Sequence, residues 1–221
     1  MKIVSWNLFH RAGATLGEIE DLIRREKPDL LLMQEVTDRI DGLHARMGGW
    51  YMRDPLPGRV HGLAAWSPHE ISMPRTTLAL QPGLFVNRVC QIIDVGTFTV
   101  ANVHLSHGQL LNRRQLRQIA EVLPERAAVL GDCNLVGPPL LSGFHDVGPR
   151  EATHAMGSVV PLRLDRCFVR NLKCDHAQVL MRATSDHLPI AVHLSVPREG
   201  EKKGAGGLTS LLDRDRLWPW R

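Results

Sequence analysis

In four places an apolar run of this chain stops at a side chain that can bind a cation or carry a proton, and in a fifth such a pair opens one. They are Asn7, Glu35, His104, the pair Asp132 and Asn134, and the pair Asp186 and His187. Singly, each has an ordinary reading: a turn residue, a carboxylate at a helix start, a satisfied core histidine, an Asx turn, a surface turn before a strand. Five such placements in one chain carry more weight, because the ends of buried strands are where a rigid scaffold presents side chains to a shared cleft. The residue types also agree chemically. Carboxylates and carboxamides offer oxygen to a hard cation such as Mg²⁺. Two histidines without cysteine partners suit acid–base work or stabilisation of transition-state charge. Together they suit hydrolysis of a phosphate ester, in which a cation neutralises phosphate oxygens and a base activates water for in-line attack.

The elements that must position these groups alternate between strand and helix patterns. Lys2 to Asn7 reads as a strand. Thr15, with Glu18 three residues on, makes a capping box ahead of Leu16, Ile19, Leu22 and Ile23, whose spacing is helical until Pro28. Asp29 to Val36 is almost continuously apolar, as expected of a strand buried on both faces. A short helix is expected over Thr37 to Met47. From Trp50 to Leu80, strand-like pieces at Leu63–Trp66, Glu70–Met73 and Thr76–Leu80 alternate with Pro and Gly turns. Val89–Val95 and Phe98–Leu105 flank Gly96-Thr97 as a hairpin. A helix over Leu110 to Leu123 should turn Leu111, Leu116, Ile119, Ala120 and Leu123 inward and Arg113, Arg114 and Arg117 outward. Ala127–Leu130 is a short buried strand, and a loop runs from there to about Pro161. Further strands are expected at Leu164–Val169, at Ala177–Met181 and up to Val196. Beyond Pro197 the text becomes charged and glycine-rich, so one domain over 1–197 with a flexible linker and tail over 198–221 is expected.

The 221 residues, 43% hydrophobic and 23% charged, suffice for one domain with a sizeable core and exclude a disordered chain. The formal charge of +4 suits a polyanionic partner without establishing one. There is no signal-peptide core and no apolar run of spanning length, which leads to the expectation of a cytoplasmic protein. Cys90, Cys133, Cys167 and Cys174 lack any CxxC spacing and read as reduced thiols.

The set Trp6-Asn7, Gln34-Glu35-Val36, Asn102-Val103-His104-Leu105, Gly131-Asp132-Cys133-Asn134, Leu164-Asp165 and Ser185-Asp186-His187-Leu188-Pro189 closely resembles the endonuclease/exonuclease/phosphatase superfamily, the DNase I-like fold. The resemblance runs from Met1 to about Val196 in that family's motif order. It implies an α/β fold, a four-layer α/β sandwich of two mixed β-sheets face to face with helices outside, and Mg²⁺- or Mn²⁺-dependent phosphoesterase chemistry. It further implies Glu35 as the principal metal carboxylate, helped by Asn7 and Asp186. His187 resembles the catalytic histidine, and Asp165 the carboxylate that orients it. Asp132 and Asn134 resemble the pair that positions the nucleophile and a phosphate oxygen. His104 resembles the second histidine, on the leaving-group side, and Arg88 a phosphate clamp. The ordinary alternative for Asp165 is an ion pair with Arg166. Cys133 replaces the usual aromatic between Asp and Asn. Phe9 stands where abasic-site endonucleases carry an acidic residue, and 135–161 shows no aromatic wedge; both weigh against abasic-site repair.

Three functions follow from this reading. A nuclease on DNA or RNA is favoured by the basic balance and by Arg113, Arg114 and Arg117. A phosphatase or phosphodiesterase on a phospholipid, as in sphingomyelinases, or on a small phosphoester is the second. A non-catalytic binding module is the third, and the intact polar set argues against it.

Overall fold

Side-chain alternation along a few central strands decides the architecture. The computed structural model describes residues 1–198 other than 12, 72–75, 85, 157–159 and 182. Its strands are β1 (Lys2–Asn7), β2 (Leu30–Val36), β3 (Trp50–Pro55), β4 (Gly62–Ser67), β5 (Thr76–Ala79), β6 (Val89–Asp94), β7 (Thr99–His104), β8 (Ala127–Asp132), β9 (His145–Asp146), β10 (His154–Met156), β11 (Val160–Leu162), β12 (Asp165–Arg170), β13 (Lys173–Val179) and β14 (Ile190–Ser195). The helices are α1 (Leu16–Glu26), α2 (Leu43–Met47) and α3 (Gln109–Val122). One six-stranded sheet has the order β13-β14-β1-β2-β4-β3, the other β5-β6-β7-β8-β12-β9, and β10 and β11 form a separate hairpin. Each sheet is mixed: β1 and β2 run parallel, as do β7 and β8, and the other pairs are antiparallel.

Because successive strand residues face opposite ways, each central strand feeds two cores. Ile3, Leu30, Leu32, Val100, Ala128, Leu130, Cys167 and Val169 meet between the sheets. Val4, Trp6, Leu31 and Met33 face out against Ile19, Leu22 and Ile23 of α1. Ala101, Val103, Ala127, Val129 and Phe168 face out against Leu116 and Ile119 of α3. Three apolar layers therefore separate four structural layers, the expected sandwich.

Continuing each inward series to the strand end gives Asn7, Gln34, His104 and Asp132, and Asp165 opens β12 at the same level. His104 pairs with Asp132 across β7 and β8, and Asp132 pairs with Asp165 across β8 and β12. Gly131 makes this possible. Its φ is +140°, and a Cβ there would lie 2.0 Å from the Val103 carbonyl oxygen.

The capping box forms as read: Thr15 Oγ1 accepts the Glu18 N–H at 3.3 Å, and Glu18 accepts the Thr15 N–H at 2.8 Å. Several boundaries differ from the sequence reading. The single helix over 37–47 is a 3-10 turn at Asp38–Ile40 and then α2, with Gly42 between them. β3 begins at Trp50, where Pro and Gly nearby hid its pattern. Glu70 and Ile71 lie outside any strand, and 72–73 fall outside the described residues. The supposed loop to 161 contains β9, β10 and most of β11, pieces too short to show a period. Of the expected inner face of α3, Leu116, Ile119 and Leu123 are buried, and the other buried residues on the helix are Asn112 and Gln115. Residues 199–221, nearly all of the expected linker and tail, lie outside the described residues.

Candidate active site

Asp132 is the hub. It is 1% exposed, at the end of β8. Its Oδ2 accepts a hydrogen bond from Asn7 Nδ2 at 2.9 Å and faces His104 Nε2 at 3.3 Å and His187 Nε2 at 3.7 Å. Its Oδ1 accepts the Asn134 N–H at 3.0 Å, across a tight turn in which Asn134 has φ +47°. Burial pushes the Asp132 carboxyl up from its usual range, while the neighbouring His187 pulls it back.

His187 stands between two carboxylates. Its Nδ1 meets Asp165 Oδ2 at 2.8 Å, and Asp165 is wholly buried behind it. Burial works to lower the imidazole pKa, but Asp165 and then Asp132 outweigh it and raise the value to about 10. The loop that carries His187 is pinned to β1: Ser185 Oγ donates to the Asn7 carbonyl at 2.6 Å, and Trp6 Nε1 donates to the His187 carbonyl at 3.0 Å. The alternative partner for Asp165 is not used. Arg166 instead reaches Asp146 at 2.9 Å, where it joins Arg163.

Glu35 reaches the cleft through an irregularity. In β2, Gln34 pairs with Leu63 and Val36 with Gly62, so Glu35 is an extra residue with φ +57°. Such left-handed backbone in a non-glycine residue costs energy and tends to mark functional positions. Burial works to raise its carboxyl, but the hydrogen bonds from His10 outweigh that and hold it below the usual range. Its Oε1 faces His104 Nε2 at 3.9 Å, beyond hydrogen-bond reach. His104 itself is held well below the ordinary histidine range, first by burial and then by Arg88.

Arg88 is 5% exposed, and its Nε and Nη1 have no hydrogen-bond partner among the described residues. Burial lowers the guanidinium pKa, opposed by Asp132 and Glu35. Asn7, Glu35, Arg88, His104, Asp132, Asn134, Asp186 and His187 all line one cleft of about 640 Å³, with Asp165 immediately behind it. Asp186 sits beside His154 and His187, with possible ligand atoms within 4.8 Å of one another. Its Oδ1 is buried without a hydrogen-bond partner among the described residues. A buried orphan carboxylate oxygen on Asp186 fits a hard divalent cation, and Glu35 adds a second carboxylate to the same cleft.

Sequence reasoning missed four contributors. His10 holds Glu35 and stacks on His61 at 4.0 Å. His154 lies against His187 with ring centroids 4.4 Å apart. Thr153 Oγ1 accepts the N–H groups of Leu164 and Asp165, at 3.1 and 3.0 Å, and so sets the start of β12. His10 was legible, as a polar residue three beyond Asn7; the others lie in stretches with no recognisable period.

A model described as the Endonuclease/Exonuclease/phosphatase family matches residues 4–187. The chain belongs to the endonuclease/exonuclease/phosphatase family. No curated protein matches the sequence significantly. Among solved structures, the endonuclease/exonuclease/phosphatase from Bacteroides vulgatus is 17% identical, with a TM-score of 0.71 over 89% of this chain and 98% of that one. The corresponding protein from Beutenbergia cavernae is 18% identical, with a TM-score of 0.68 over 89% of this chain and 71% of that one. D. rerio TDP2, complexed with single-strand DNA product, is 16% identical, with a TM-score of 0.70 over 89% of this chain and 99% of that one. At these identities the solved structures speak for the fold. Members of this family are generally hydrolases of phosphoester bonds and generally depend on a divalent metal. No helix among the described residues is long and apolar enough to cross a membrane.

Proposed function

We propose that this family member is a divalent-cation-dependent phosphodiesterase, a nuclease acting on DNA or RNA. One observation carries the reading: Arg88 is a buried guanidinium with two unpaired donors, set in the same cleft as Glu35, Asp132 and His187. Buried donors without partners are rare and costly, and a phosphate oxygen is the partner that a guanidinium fork fits.

Each residue then has a part. Glu35, with Asn7 and Asp186, would hold Mg²⁺ or Mn²⁺, which when bound neutralises charge on the phosphate oxygens. Asp132, its charged form disfavoured by burial, takes the proton of the attacking water. Asn134 holds Asp132 Oδ1 through its N–H. His187 keeps its proton between Asp165 and Asp132 and sets an imidazolium against the charge that develops on phosphorus oxygens. His104 stays neutral and offers a donor on the leaving-group side without adding charge. Arg88 clamps a phosphate oxygen.

Nucleic acid is supported by Arg11 and Arg59, which line the cleft with Arg88, and by the similarity in fold to a protein seen with single-strand DNA product. The outer face of α3 contributes less than the sequence suggested. Arg113 turns to the Val136 and Pro138 carbonyls at 2.9 Å and stitches the following loop to the helix. A phospholipid or small apolar phosphoester is the second reading. It is favoured by a groove of about 560 Å³, lined by Leu84, Val86, Leu110 and Leu111, that joins the cleft at Arg88 and His107.

The deciding experiment offers single-stranded DNA, RNA, supercoiled DNA, sphingomyelin and a generic phosphodiester with Mg²⁺, Mn²⁺ or EDTA. Metal-dependent cleavage of a nucleic acid is expected. Faster turnover of the lipid would move the reading to the second class. No turnover of any phosphoester with either metal would overturn both.

A further inference from the structure

The carboxylate in the metal role is itself gripped by a histidine from the loop after β1. Glu35 Oε2 accepts the His10 backbone N–H at 3.0 Å and also meets His10 Nδ1 in a short contact. Backbone and ring of one residue thus converge on one carboxylate oxygen. The ring is braced from behind: His61 stacks on it with centroids 4.0 Å apart and planes 17° apart. Leaving the cleft would cost His10 both the stack and the Glu35 contact. Six of the chain's 11 histidines line this cleft, so imidazole is the most plentiful donor beside the carboxylates.

Donor type selects the metal. Mg²⁺ takes oxygen ligands and keeps its waters. Imidazole suits later first-row ions, whose affinity for nitrogen sites rises along the series from Mn²⁺. Any imidazole or carboxylate that binds a cation must do so deprotonated. A cation bound by both groups would take the place of the short Nδ1–Oε2 contact.

We infer that His10 is a ligand: its Nδ1 and the Glu35 carboxylate bind one cation together, and the mixed N,O seat prefers Mn²⁺ or a later first-row ion to Mg²⁺. This rests on the proposal that Glu35 carries the catalytic cation, and it adds an imidazole to a set otherwise made of oxygen. His61 acts through His10, as the surface against which the ring is held.

The test is binding rather than turnover. Mn²⁺ is added to the full chain and to the Glu35→Gln, His10→Gln and His104→Gln variants. Pulsed EPR reads ¹⁴N coupling to the bound ion, and calorimetry reads affinity. The wild type should show a directly bound nitrogen. His104→Gln should keep that nitrogen. His10→Gln should lose it and bind Mn²⁺ at least about tenfold more weakly, with Mg²⁺ affinity changed by less than about threefold. If Glu35→Gln weakens Mn²⁺ binding but the wild type lacks ¹⁴N coupling, or the coupling survives His10→Gln, His10 is only a hydrogen-bond partner and the inference falls alone. If Mn²⁺ binding ignores Glu35→Gln, the cation sits elsewhere, and the inference falls together with the assignment of Glu35.

Discussion

Replacing Asp165 by Asn keeps the size of the side chain and removes one of the two charges that hold the His187 proton. Asp165 is wholly buried, and its Oδ2 lies 2.8 Å from His187 Nδ1. A hydrogen bond to a charged group contributes about 1.5–3 kcal/mol and a neutral one about 1 kcal/mol. The change should therefore cost the imidazolium roughly 0.5–2 kcal/mol, which makes it about 2- to 30-fold easier to deprotonate. Asn can still accept from Nδ1, so the ring should stay in place and kcat should fall by about 10- to 100-fold rather than vanish. His187→Ala should cost at least about 100-fold, and adding Asp165→Asn to it should cost almost nothing more, because no ring is left to hold. NMR titration of the His187 imidazole and a double-mutant cycle on kcat measure both quantities. The reasoning fails if the wild-type ring titrates near the ordinary histidine value, or if the two losses multiply.

Glu35→Gln should abolish most metal-dependent turnover while leaving the melting temperature in EDTA unchanged; near-normal turnover at saturating metal would exclude Glu35 as the main ligand. Glu35→Gly should melt higher in EDTA than Glu35→Ala, by about 1 kcal/mol, because only glycine adopts φ +57° without strain; equal stability would show that the bulge stores none. Gly131→Ala puts a methyl group 2.0 Å from the Val103 oxygen and should cost at least about 3 kcal/mol, or roughly 6–12 °C in Tm; a calorimetric scan checks this. The pH dependence of stability has a definite sign. The folded-state pKa of His187 is raised to about 10, so its contribution is full below the unfolded value of about 6.5 and is lost as pH rises through 10. Denaturant melts of the wild type in EDTA should weaken across that window, and His187→Gln should flatten the slope.

The fold was legible because the strands that form it are long enough to show their period. Lys2–Asn7, Leu30–Val36, Thr99–His104 and Ala127–Asp132 are the central strands; three end in a polar residue, and in Leu30–Val36 the apolar run breaks at Gln34-Glu35, just ahead of Val36. Asn7, Glu35, His104 and Asp132 were found by that break, and His187 by the polar triplet that opens a strand; Asp165 and Arg88 needed the family resemblance. What stayed hidden lacks a local signal. The bulge at Glu35 is set by its pairing with Leu63 and Gly62, a partner strand about 28 residues away. The hairpin that carries His154 is two three-residue strands inside a Gly- and Pro-containing segment. The rescue of Asp165 from Arg166 depends on Asp146, which reads as one more loop aspartate until the sheets are built. Asn112 and Gln115 broke the apolar face of α3 because both reach backbone or side-chain partners: Asn112 Nδ2 donates to the Asn134 carbonyl at 2.8 Å, and Gln115 Nε2 to Ser106 Oγ at 3.1 Å.

The place of β14 between β13 and β1 gives the molecule a late checkpoint. The contact that sets His187 over the cleft, Trp6 Nε1 to the His187 carbonyl, joins residues 181 apart in the chain. Contacts of such separation are the slowest to close, because the entropy of the intervening loop is lost before they add stability. Until β14 enters the sheet, β1 lacks one neighbour and the imidazole has no place beside Asp132. A chain that is still growing, or that has stalled with its first strands paired, therefore holds its carboxylates without its imidazolium. On the proposed function, hydrolysis waits for β14, the last strand among the described residues, so a half-folded copy would be inert toward the phosphoesters around it.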